Sequence, residues 1–318
     1  MRSTILSGVM ALCAAGTAWA DDAPLVAFTA IVEHPALDAT RDCAIEELAR
    51  QGFVKGETLR TEYESAQGLV VNAAQIANRF VGMKPAVIVA ASTPSSQSVL
   101  AATEEIPIVF SAVTDPVAAG LVADPANPGA NITGVTDLSP VDRHFELAMQ
   151  VVPDLKKLGV VYNPGEASSV ALIDVIRAEA EKTGLELVEA AAVRTADLGA
   201  AVERMVGQVD AIYVMTDNTV ASGLEALTAV ANENGIPTIG GEASYAERGV
   251  MVAQGFSYCD IGTLTGEMVA RILNGENPGD IPVGRSPLVE YGVNLGSASD
   301  VGITLPEDIV AQARFRGE

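Results

Sequence analysis

Short runs rich in apolar and β-branched residues alternate along the chain with longer stretches that have helical periodicity. In the first part of the chain the predicted strands are Leu25–Val32, Leu59–Tyr63, Val87–Ala91 and Ile108–Phe110, and the predicted helices are Asp38–Gln51, Leu69–Val81 and Pro94–Thr103. Strands that alternate with helices of about 10–15 residues are typical of right-handed βαβ units. This part therefore predicts a parallel sheet with helices on its faces.

A second series of the same kind follows a stretch rich in Pro, Gly, Asn and Asp, which predicts a loop over Val113–Asp137. Its predicted helices are Val141–Val152, Ser168–Thr183, Leu198–Val206 and Val220–Asn234, and its predicted strands are Val160–Tyr162, Leu185–Glu189, Ala211–Met215, Pro237–Ile239 and Val250–Gln254. Two series separated by a loop predict two similar α/β lobes. The remaining elements are expected to complete these lobes, and they are a helix over Ile261–Asn274, a strand over Leu288–Val293 and a helix after Pro306.

Composition and charge narrow the classes of partner. Of the 318 residues 49% are hydrophobic and only 4% aromatic, which suits buried parallel strands packed against helices. Lys plus Arg number 19 and Asp plus Glu number 41, so the formal net charge is −22. A charge of this sign repels nucleic acids and anionic lipid surfaces. We therefore expect no nucleic-acid partner.

Residues 1–20 have the three parts of a secretory signal peptide. Arg2 precedes the apolar run Ile5–Ala15, and Ala18-Trp19-Ala20 has the A-x-A form of a cleavage site. The mature chain is expected to begin at Asp21, and no later apolar stretch reaches the ~18 residues that a membrane span needs. The sequence thus predicts an exported, periplasmic protein.

The sequence motifs of common enzymes are absent, and so are those of nucleotide and metal sites. The chain has no G-x-G-x-x-G, no P-loop, no G-x-S-x-G and no C-x-x-C, and His34 and His144 lack metal-ligand spacing. We therefore expect no metal, no cofactor and no catalysis. In an oxidising compartment Cys43 and Cys259 either form a disulfide or remain two free buried thiols.

Polar side chains that follow the predicted strands are the candidates for ligand binding, because ligands of open α/β sheets lie beyond the carboxyl ends of the strands. The first lobe offers hydroxyls near helix N-termini, which suit an anion, and these are Ser92, Thr93 and Thr114. The second lobe offers carboxylates, which suit an ammonium group, and these are Glu166, Asp217 and Glu242. A zwitterionic ligand would fit between the two lobes.

Each of these residues has an ordinary structural alternative. Thr93-Pro94 and Asp115-Pro116 have the form of an N-cap followed by proline at the first helical position. Asp217 lies at a predicted helix start, where a carboxylate stabilises the helix dipole without any ligand. Glu242 follows two glycines in a loop that permits close approach of a ligand to the backbone, and its position favours a binding role.

Several strings resemble the ABC-transporter substrate-binding protein family that includes tryptophan- and tyrosine-type binding proteins. The strings are Glu33–Asp38, Val113–Val122, Pro128–Val135, Tyr162–Glu166 and Thr216–Val220, and the similarity runs from about Leu25 to Pro306. The resemblance implies the type I periplasmic-binding-protein fold, with two Rossmann-like lobes joined by three crossing segments. These crossings would fall near Gly134–Leu138, Gly255–Tyr258 and Pro282–Pro287. The implied N-terminal lobe is 21–136 plus about 258–284, and the implied C-terminal lobe is 137–257 plus about 285–318.

The resemblance also implies a ligand site between the lobes. The residues implied for the carboxylate of an amino acid are Ser92, Thr93 and Thr114, with Gln97 beside them. The residues implied for its ammonium group are Asp217 and Glu242, with Glu166 and Asn218 near them. Glu33, His34 and Asp115 belong to the matching strings and complete the expected site. One position departs from the family pattern, because Ser168 stands where the family has an amide.

The implied function is that of an exported solute-binding protein of an ABC importer. The expected ligand is an aromatic or other apolar amino acid, the expected partner is an ABC permease in the membrane, and the expected state is a monomer. Two alternatives stay open. One is a periplasmic ligand-sensing protein of the same fold, and the other is a binding protein for a different small ligand such as a nucleoside.

Overall fold

The computed structural model describes residues 23–286 and 289–317. The predicted signal peptide, residues 1–20, and the predicted mature start at Asp21 lie outside these ranges. None of the described helices is both long enough and apolar enough to cross a membrane.

The strands form two separate sheets. They are β1 (Leu25–Ala30), β2 (Arg60–Ser65), β3 (Val87–Ala91), β4 (Ile108–Val113), β5 (Ile132–Thr136), β6 (Lys157–Tyr162), β7 (Glu186–Ala191), β8 (Ala211–Val214), β9 (Thr238–Gly240), β10 (Val252–Gly255), β11 (Gly284–Arg285), β12 (Glu290–Asn294) and β13 (Ala313–Gly317). The first sheet has the order β11-β5-β4-β3-β1-β2, and the second has the order β13-β12-β10-β9-β8-β6-β7. Neighbouring strands are parallel except β10 and β12, which pair antiparallel.

Helices cover both sheets. They are α1 (Pro35–Arg50), α2 (Val70–Met83), α3 (Thr93–Ala102), α4 (Val141–Val151), α5 (Ala167–Thr183), α6 (Leu198–Glu203), α7 (Asn218–Ser222), α8 (Leu224–Glu233), α9 (Tyr258–Leu273), α10 (Leu295–Asp300) and α11 (Glu307–Gln312). Short 3-10 helices lie at Thr195–Asp197, Ala243–Arg248 and Pro278–Asp280. Every residue of β3 and β4 is buried, as expected for central parallel strands covered on both faces. The predicted α/β class with two Rossmann-like lobes is confirmed.

Helix α9 packs closely along α1 in the first lobe. A Cβ at Gly266 would lie 2.6 Å from the backbone oxygen of Ala44, so the helices can approach this closely because position 266 has no side chain. A disulfide joins Cys43 of α1 to Cys259 of α9, with 5.3 Å between the two Cα atoms. Of the two alternatives that the sequence leaves open for these cysteines, the structure has the disulfide.

The region predicted as a loop over Val113–Asp137 contains strand β5. Its central residue, Gly134, lies so close to Phe110 of β4 that a Cβ there would collide with the Phe110 carbonyl oxygen. A glycine that reads as a turn signal in the sequence therefore serves as a close-packing position in the sheet. The prediction of a continuous loop is wrong for this reason.

Two helix predictions also differ from the structure. The predicted helix Val220–Asn234 is divided at Gly223, where a Cβ would collide with the Thr195 side chain. Helix α1 begins at Pro35, and its N-cap is His34, whose ring accepts a 3.4 Å hydrogen bond from the backbone N–H of Leu37. Asp38 lies in the first turn of α1, where the helix dipole favours a carboxylate.

The chain passes between the two sheets at three places. It leaves the first sheet after β5 and enters the second lobe at α4, returns between β10 and α9, and leaves again between β11 and β12. Pro287, at the end of the third predicted crossing, lies outside the described residues. The carboxyl ends of the parallel strands of both sheets meet between the lobes, which is where this class of sheet binds ligands.

Candidate functional site

A small polar cavity lies between the two lobes and is called the polar cavity below. Its lining residues are Leu37, Ser92, Thr93, Ala112, Thr114, Asp137, Ser168, Thr216, Asn218 and Tyr258. These residues come from the ends of strands, the starts of helices and two of the crossing segments. The cavity has a volume of about 10 Å³, which is room for about one water molecule. The lining residues of the two lobes therefore lie close together, with little space between them.

The first lobe presents hydroxyls on a strained backbone. Ser92 and Ala112 have φ angles of 77° and 53°, in the left-handed region that residues other than glycine rarely adopt. Ser92 connects β3 to α3, and its backbone N–H donates a 2.8 Å hydrogen bond to the carbonyl of Ser111. The hydroxyls of Ser92 and Thr93 are buried and have no hydrogen-bond partner within the described residues. Backbone strain of this kind is typical of functional sites.

The crossing segments contribute a buried carboxyl group. Asp137 is 5% exposed, and its Oδ2 accepts a 3.0 Å hydrogen bond from the hydroxyl of Tyr258. The other oxygen, Oδ1, has no partner within the described residues. Burial raises the pKa of Asp137 to about 6, although the hydrogen bond from the Tyr258 hydroxyl acts in the opposite direction. The site thus holds a carboxyl group with one oxygen free to accept.

The second lobe contributes a hydroxyl and an amide. The hydroxyl of Ser168, at the start of α5, is buried and unpartnered within the described residues. Asn218, at the start of α7, donates a 2.7 Å hydrogen bond to Oε2 of Glu166. The hydroxyl of Thr216 lies 3.4 Å from that of Ser139. On this side of the cavity, Ser168 thus offers a buried hydroxyl that no other described residue binds.

The carboxylate of Asp217 accepts hydrogen bonds from residues of its own lobe. Its Oδ1 accepts from the backbone N–H of Val220 at 2.8 Å, which caps α7. Its Oδ2 accepts from the N–H of Asn163 and from the hydroxyl of Ser169, both at 2.7 Å. Burial raises the pKa of Asp217, and these hydrogen bonds lower it in part. The residue does not line the polar cavity.

Glu166 lies beside Asp217 at the mouth of the cleft. It accepts hydrogen bonds from Asn218 and from the hydroxyl of Thr219, each at 2.7 Å. Burial raises the pKa of Glu166, and the nearby carboxylate of Asp217 raises it further. The two carboxyl groups belong to one hydrogen-bonded network of the second lobe, outside the polar cavity.

Glu242 is fully buried and caps the 3-10 helix that follows it. Its Oε1 accepts from the backbone N–H of Ser244 at 2.9 Å, and its Oε2 accepts from the Ser244 hydroxyl at 2.6 Å. Burial raises the pKa of Glu242 to about 7. The structure therefore gives this residue a capping partner and does not place it in the lining of the polar cavity.

The other residues of the predicted site lie around the cavity and not in its lining. The amide of Gln97 donates to the carbonyl of Ala119 at 3.0 Å, and Asp115 accepts from two backbone N–H groups of the turn that follows it. Glu33 is exposed. His34 is buried, and burial lowers its pKa to about 4. Of the predicted set, the structure brings together Ser92, Thr93, Thr114 and Asn218 in the cavity lining.

Asp137 is one of the cavity residues that the predicted set does not contain. The sequence criterion takes polar residues that follow predicted strands, and Asp137 follows β5 directly. Because the sequence predicts a loop where β5 lies, it predicts no strand end before Asp137, and Asp137 is therefore not selected. Ser168, Thr216 and Tyr258 also line the cavity without belonging to the predicted set.

Comparison with known proteins places these observations in a family. Residues 25–315 match the sequence profile of the family described as ABC transporter substrate binding protein. A relative named tyrosine-binding protein, from Clostridioides difficile (strain R20291), is 36% identical over 258 residues, which span 81% of this chain and 75% of that protein. Both findings confirm the resemblance inferred from the sequence.

Two solved structures share the whole architecture. An ABC domain in complex with L-Trp, from Streptococcus pneumoniae, is 29% identical with a TM-score of 0.87. The ligand-free, open structure of a substrate-binding protein with adhesive properties, from Clostridium difficile, is 36% identical with a TM-score of 0.72. Each comparison covers 93% of this chain and 100% of the other. The chain therefore belongs to the ABC transporter substrate-binding protein family, whose members bind solutes and are not enzymes.

Proposed function

We propose that this protein is the exported binding component of an ABC importer and that it captures an amino acid between its two lobes. The observation that carries the proposal is the set of unpartnered buried polar atoms that face the polar cavity. The hydroxyls of Ser92, Thr93 and Ser168 can donate, and Oδ1 of Asp137 can accept. Buried polar groups are nearly always paired, so this set is complementary to a ligand with both an anionic and a cationic end.

The carboxylate of the amino acid is proposed to bind the first lobe. Ser92 and Thr93 place their hydroxyls at the start of α3, a helix of 10 residues. The N-terminus of a helix attracts negative charge through its free N–H groups and its dipole. Thr114 lines the same side of the cavity. This part of the proposal keeps the residues expected from the sequence.

The ammonium group is proposed to bind Asp137. Asp217 has three hydrogen bonds to its carboxylate and Glu242 has two, all from their own lobe. Asp137 lines the cavity itself, and one of its oxygens has no partner among the residues that the structure describes. An ammonium group beside this oxygen would replace a buried, unsatisfied acceptor with a charge-assisted hydrogen bond. We therefore assign the cationic end of the ligand to Asp137 and the stabilisation of the second lobe to the other two carboxyl groups.

Binding is proposed to close the two lobes about the crossing segments. The proposed lobes are residues 21–136 with about 258–284, and residues 137–257 with about 285–318. The chain is more similar in shape to the L-Trp complex, at a TM-score of 0.87, than to the open structure, at 0.72, although its sequence is more identical to the latter. This contrast supports a closed arrangement of the lobes in the present structure. A bound amino acid would hold the lobes slightly further apart, because the cavity has room for about one water molecule.

Fluorescence provides a direct test of the ligand class. The only tryptophan of the chain is Trp19, so a protein that begins at Asp21 contains none. Titration with L-tryptophan should give a blue-shifted, saturable indole emission, because the cleft removes the ring from water. Indole-3-propionate lacks the ammonium group and should compete at least about tenfold more weakly. Equal binding of the two compounds would contradict the zwitterion site, and failure of L-tryptophan, L-tyrosine and L-phenylalanine to bind would contradict the aromatic ligand.

Uptake separates import from sensing. Cells that lack this protein should take up labelled ligand more slowly, and the intact gene should restore the rate. An Asp137→Asn gene should fail to restore it. Unchanged uptake in cells without the protein, together with confirmed binding, would instead favour a ligand sensor.

A further inference from the structure

We propose that the disulfide between Cys43 and Cys259 positions Tyr258 for ligand binding, so that the affinity for the ligand depends on the redox state of the two cysteines. The inference rests on the proposed function, since Tyr258 lines the polar cavity and donates a hydrogen bond to Asp137. The two cysteines do not line that cavity. The disulfide would therefore act on the ligand through the residue next to it.

The disulfide is attached to the end of α9 at which the chain enters the first lobe. Cys259 is the second residue of α9 and directly follows Tyr258, whereas Cys43 is the ninth of the 16 residues of α1. The N–H groups in the first turn of a helix have no intrahelical partner, and helix ends fray more readily than the middle. The bond thus attaches a terminal turn of one helix to the central part of another.

Two hydrogen bonds restrain the same turn. The hydroxyl of Thr40, in α1, lies 3.2 Å from the carbonyl oxygen of Tyr258 and 3.1 Å from that of Ala36, so its proton is shared. The hydroxyl oxygen of Ser257 caps α9 and accepts from the backbone N–H of Cys259 at 3.2 Å. Neutral hydrogen bonds of this kind each contribute little. The covalent bond is therefore a stronger restraint on Tyr258 than either of them.

The middle of α9 is held by packing and does not depend on the disulfide. A Cβ at Gly266 would lie 2.6 Å from the backbone oxygen of Ala44 and 2.7 Å from the Cβ of Glu47, so the two helices are in close contact there. The disulfide adds its restraint at the other place, the turn that follows Tyr258. This location indicates a role in the geometry of the site in addition to the stability of the helix pair.

A looser first turn should weaken binding. The Tyr258 hydroxyl holds Oδ2 of Asp137 at 3.0 Å, and Oδ1 of Asp137 has no partner within the described residues. If Tyr258 has more positions available in the free protein, ligand binding must restrict them, and that loss of conformational freedom lowers the affinity. Reduction of the disulfide should therefore raise the Kd.

Reduction by a small dithiol is chemically straightforward at this bond, because both cysteines are only half-buried. A thiolate of dithiothreitol attacks one protein sulfur, forms a mixed disulfide and releases the other protein sulfur as a thiolate. The second thiol of dithiothreitol then displaces the first protein sulfur and closes a cyclic disulfide. The dithiol is thus oxidised by two electrons, and the protein gains two thiols.

The first test compares the two redox states of one protein. Kd values for L-tryptophan and L-tyrosine are measured by calorimetry before and after full reduction with dithiothreitol, at a temperature where circular dichroism shows that both forms are folded. Reduction should raise the Kd by about fivefold or more, the effect of losing about one hydrogen bond. The Cys43→Ser, Cys259→Ser variant should have the Kd of the reduced protein in either buffer.

Two variants test whether the effect passes through Tyr258. Tyr258→Phe removes the hydroxyl that contacts Asp137, so reduction should then change the Kd by less than about twofold. Thr40→Val removes the other bond from α1 to the Tyr258 backbone, so reduction should have a larger effect than in the wild type. An equal effect of reduction in the wild type and in Tyr258→Phe would overturn the positioning role.

Leu48→Ala is the matched control for stability. Leu48 is fully buried in α1 and does not line the polar cavity, so its truncation destabilises the first lobe without changing the first turn of α9. The oxidised variant should bind both amino acids like the oxidised wild type, and thermal unfolding reports the loss of stability. A loss of affinity as large as that caused by reduction would show that affinity follows stability alone, and would overturn the proposal.

Linkage provides an independent measurement. If reduction raises the Kd by a given factor, a saturating amino acid must shift the equilibrium toward the disulfide by the same factor. The reduced fraction in mixtures of reduced and oxidised dithiothreitol is measured by thiol alkylation and mass spectrometry, with and without the amino acid. Equal binding in both redox states would overturn the redox coupling and leave the proposed function standing. An oxidised wild type that binds neither amino acid would overturn both.

Discussion

The hydroxyl of Tyr258 donates a 3.0 Å hydrogen bond to Oδ2 of Asp137, and the two residues belong to different segments that pass between the lobes. Both side chains also line the polar cavity. The contact therefore links the proposed ligand site directly to the segments about which the lobes would rotate. Ligand contacts that are made only in the closed state shift the equilibrium toward closure.

Replacing Asp137 should abolish the preference for an ammonium group. Asp137→Asn keeps the size of the side chain and its bond to Tyr258, but removes the charge that faces the ligand. Breaking a buried charge pair costs roughly 2–5 kcal/mol of binding, so Kd should rise by at least about 30-fold. Calorimetry with L-tryptophan measures the change. Asp115→Asn is the control, because Asp115 also follows a strand of the first sheet, and in the described part of the chain its carboxylate accepts hydrogen bonds from its own turn. Similar affinities of the two variants would remove Asp137 from the site.

Affinity should fall in mildly acidic solution. The pKa of Asp137 is raised to about 6 without a ligand, so below this pH the carboxyl group is largely neutral and must lose a proton before it can pair with an ammonium group. Between pH 7 and pH 5 the Kd should rise by about tenfold. In Asp137→Asn this dependence should be much flatter. A wild-type affinity that does not change over this window would contradict the assignment.

Between pH 7 and pH 5 the free energy of unfolding reports the protonation of Asp137 less clearly than the ligand affinity does. Because the folded pKa of Asp137 lies above its ordinary value, protonation of this group favours the folded state as the pH falls through about 6. Burial lowers the pKa values of His34 and His144 to about 4, so their protonation favours the unfolded state below about pH 6.5. Burial raises the pKa values of Glu166 and Glu242 to about 7, so their protonation adds to the contribution of Asp137, whereas that of the two histidines opposes it. The pH dependence of ligand binding therefore isolates Asp137 better than the pH dependence of unfolding does.

Replacing Asp217 should affect folding more than binding. Asp217→Ala removes the cap of α7 and the acceptor for Asn163 and Ser169. Loss of a cap and of buried hydrogen bonds should lower the free energy of unfolding by about 1–3 kcal/mol. Urea unfolding measures this loss, and calorimetry at a temperature where the variant is folded should show a smaller change in Kd than Asp137→Asn. If Asp217→Ala instead has normal stability and does not bind the ligand, the ammonium group binds Asp217 and the assignment to Asp137 is wrong.

Reduction of the disulfide should destabilise the first lobe. Cys43 and Cys259 are separated by 216 residues, and the bond holds the start of α9, including Tyr258, against α1. Removing a disulfide that closes a long loop typically costs about 2–5 kcal/mol. Urea unfolding with and without reductant should show this difference. The Cys43→Ser, Cys259→Ser double variant should match the reduced protein and should not respond to reductant. An unfolding midpoint that reductant leaves unchanged would contradict a stabilising role for the bond.

The regular part of the fold follows from the sequence because local patterns are sufficient there. Strand β3 is predicted with the bounds that it has, Val87–Ala91, since a short apolar run between turn signals has few other solutions. The parallel arrangement follows from the alternation with helices. Strand β5 could not be predicted in this way, because Gly134 and the residues around it are of types that favour turns. Their real role is the close approach to Phe110 of β4, a contact that sequence periodicity does not contain.

The chemical character of the site was determined by the sequence only in part. Residue types after the strands predict hydroxyls in the first lobe, and Ser92 and Thr93 do line the cavity with unpartnered hydroxyls. The sequence does not distinguish a carboxylate that caps a helix from one that faces a ligand. Asp217 and Asp137 are both buried carboxyl groups, and only the three-dimensional arrangement shows that the first has donors for both oxygens while the second lacks one.

The fold class was thus determined by the sequence alone, and so was the proposal of a site at the strand ends, because both depend on local periodicity and on residue types at the ends of elements. Tertiary structure decided which residues meet. It brought Asp137 next to Tyr258, 121 residues further along the chain, and Cys43 next to Cys259. Contacts between residues so far apart depend on how two sheets and their helices pack, which no local pattern encodes.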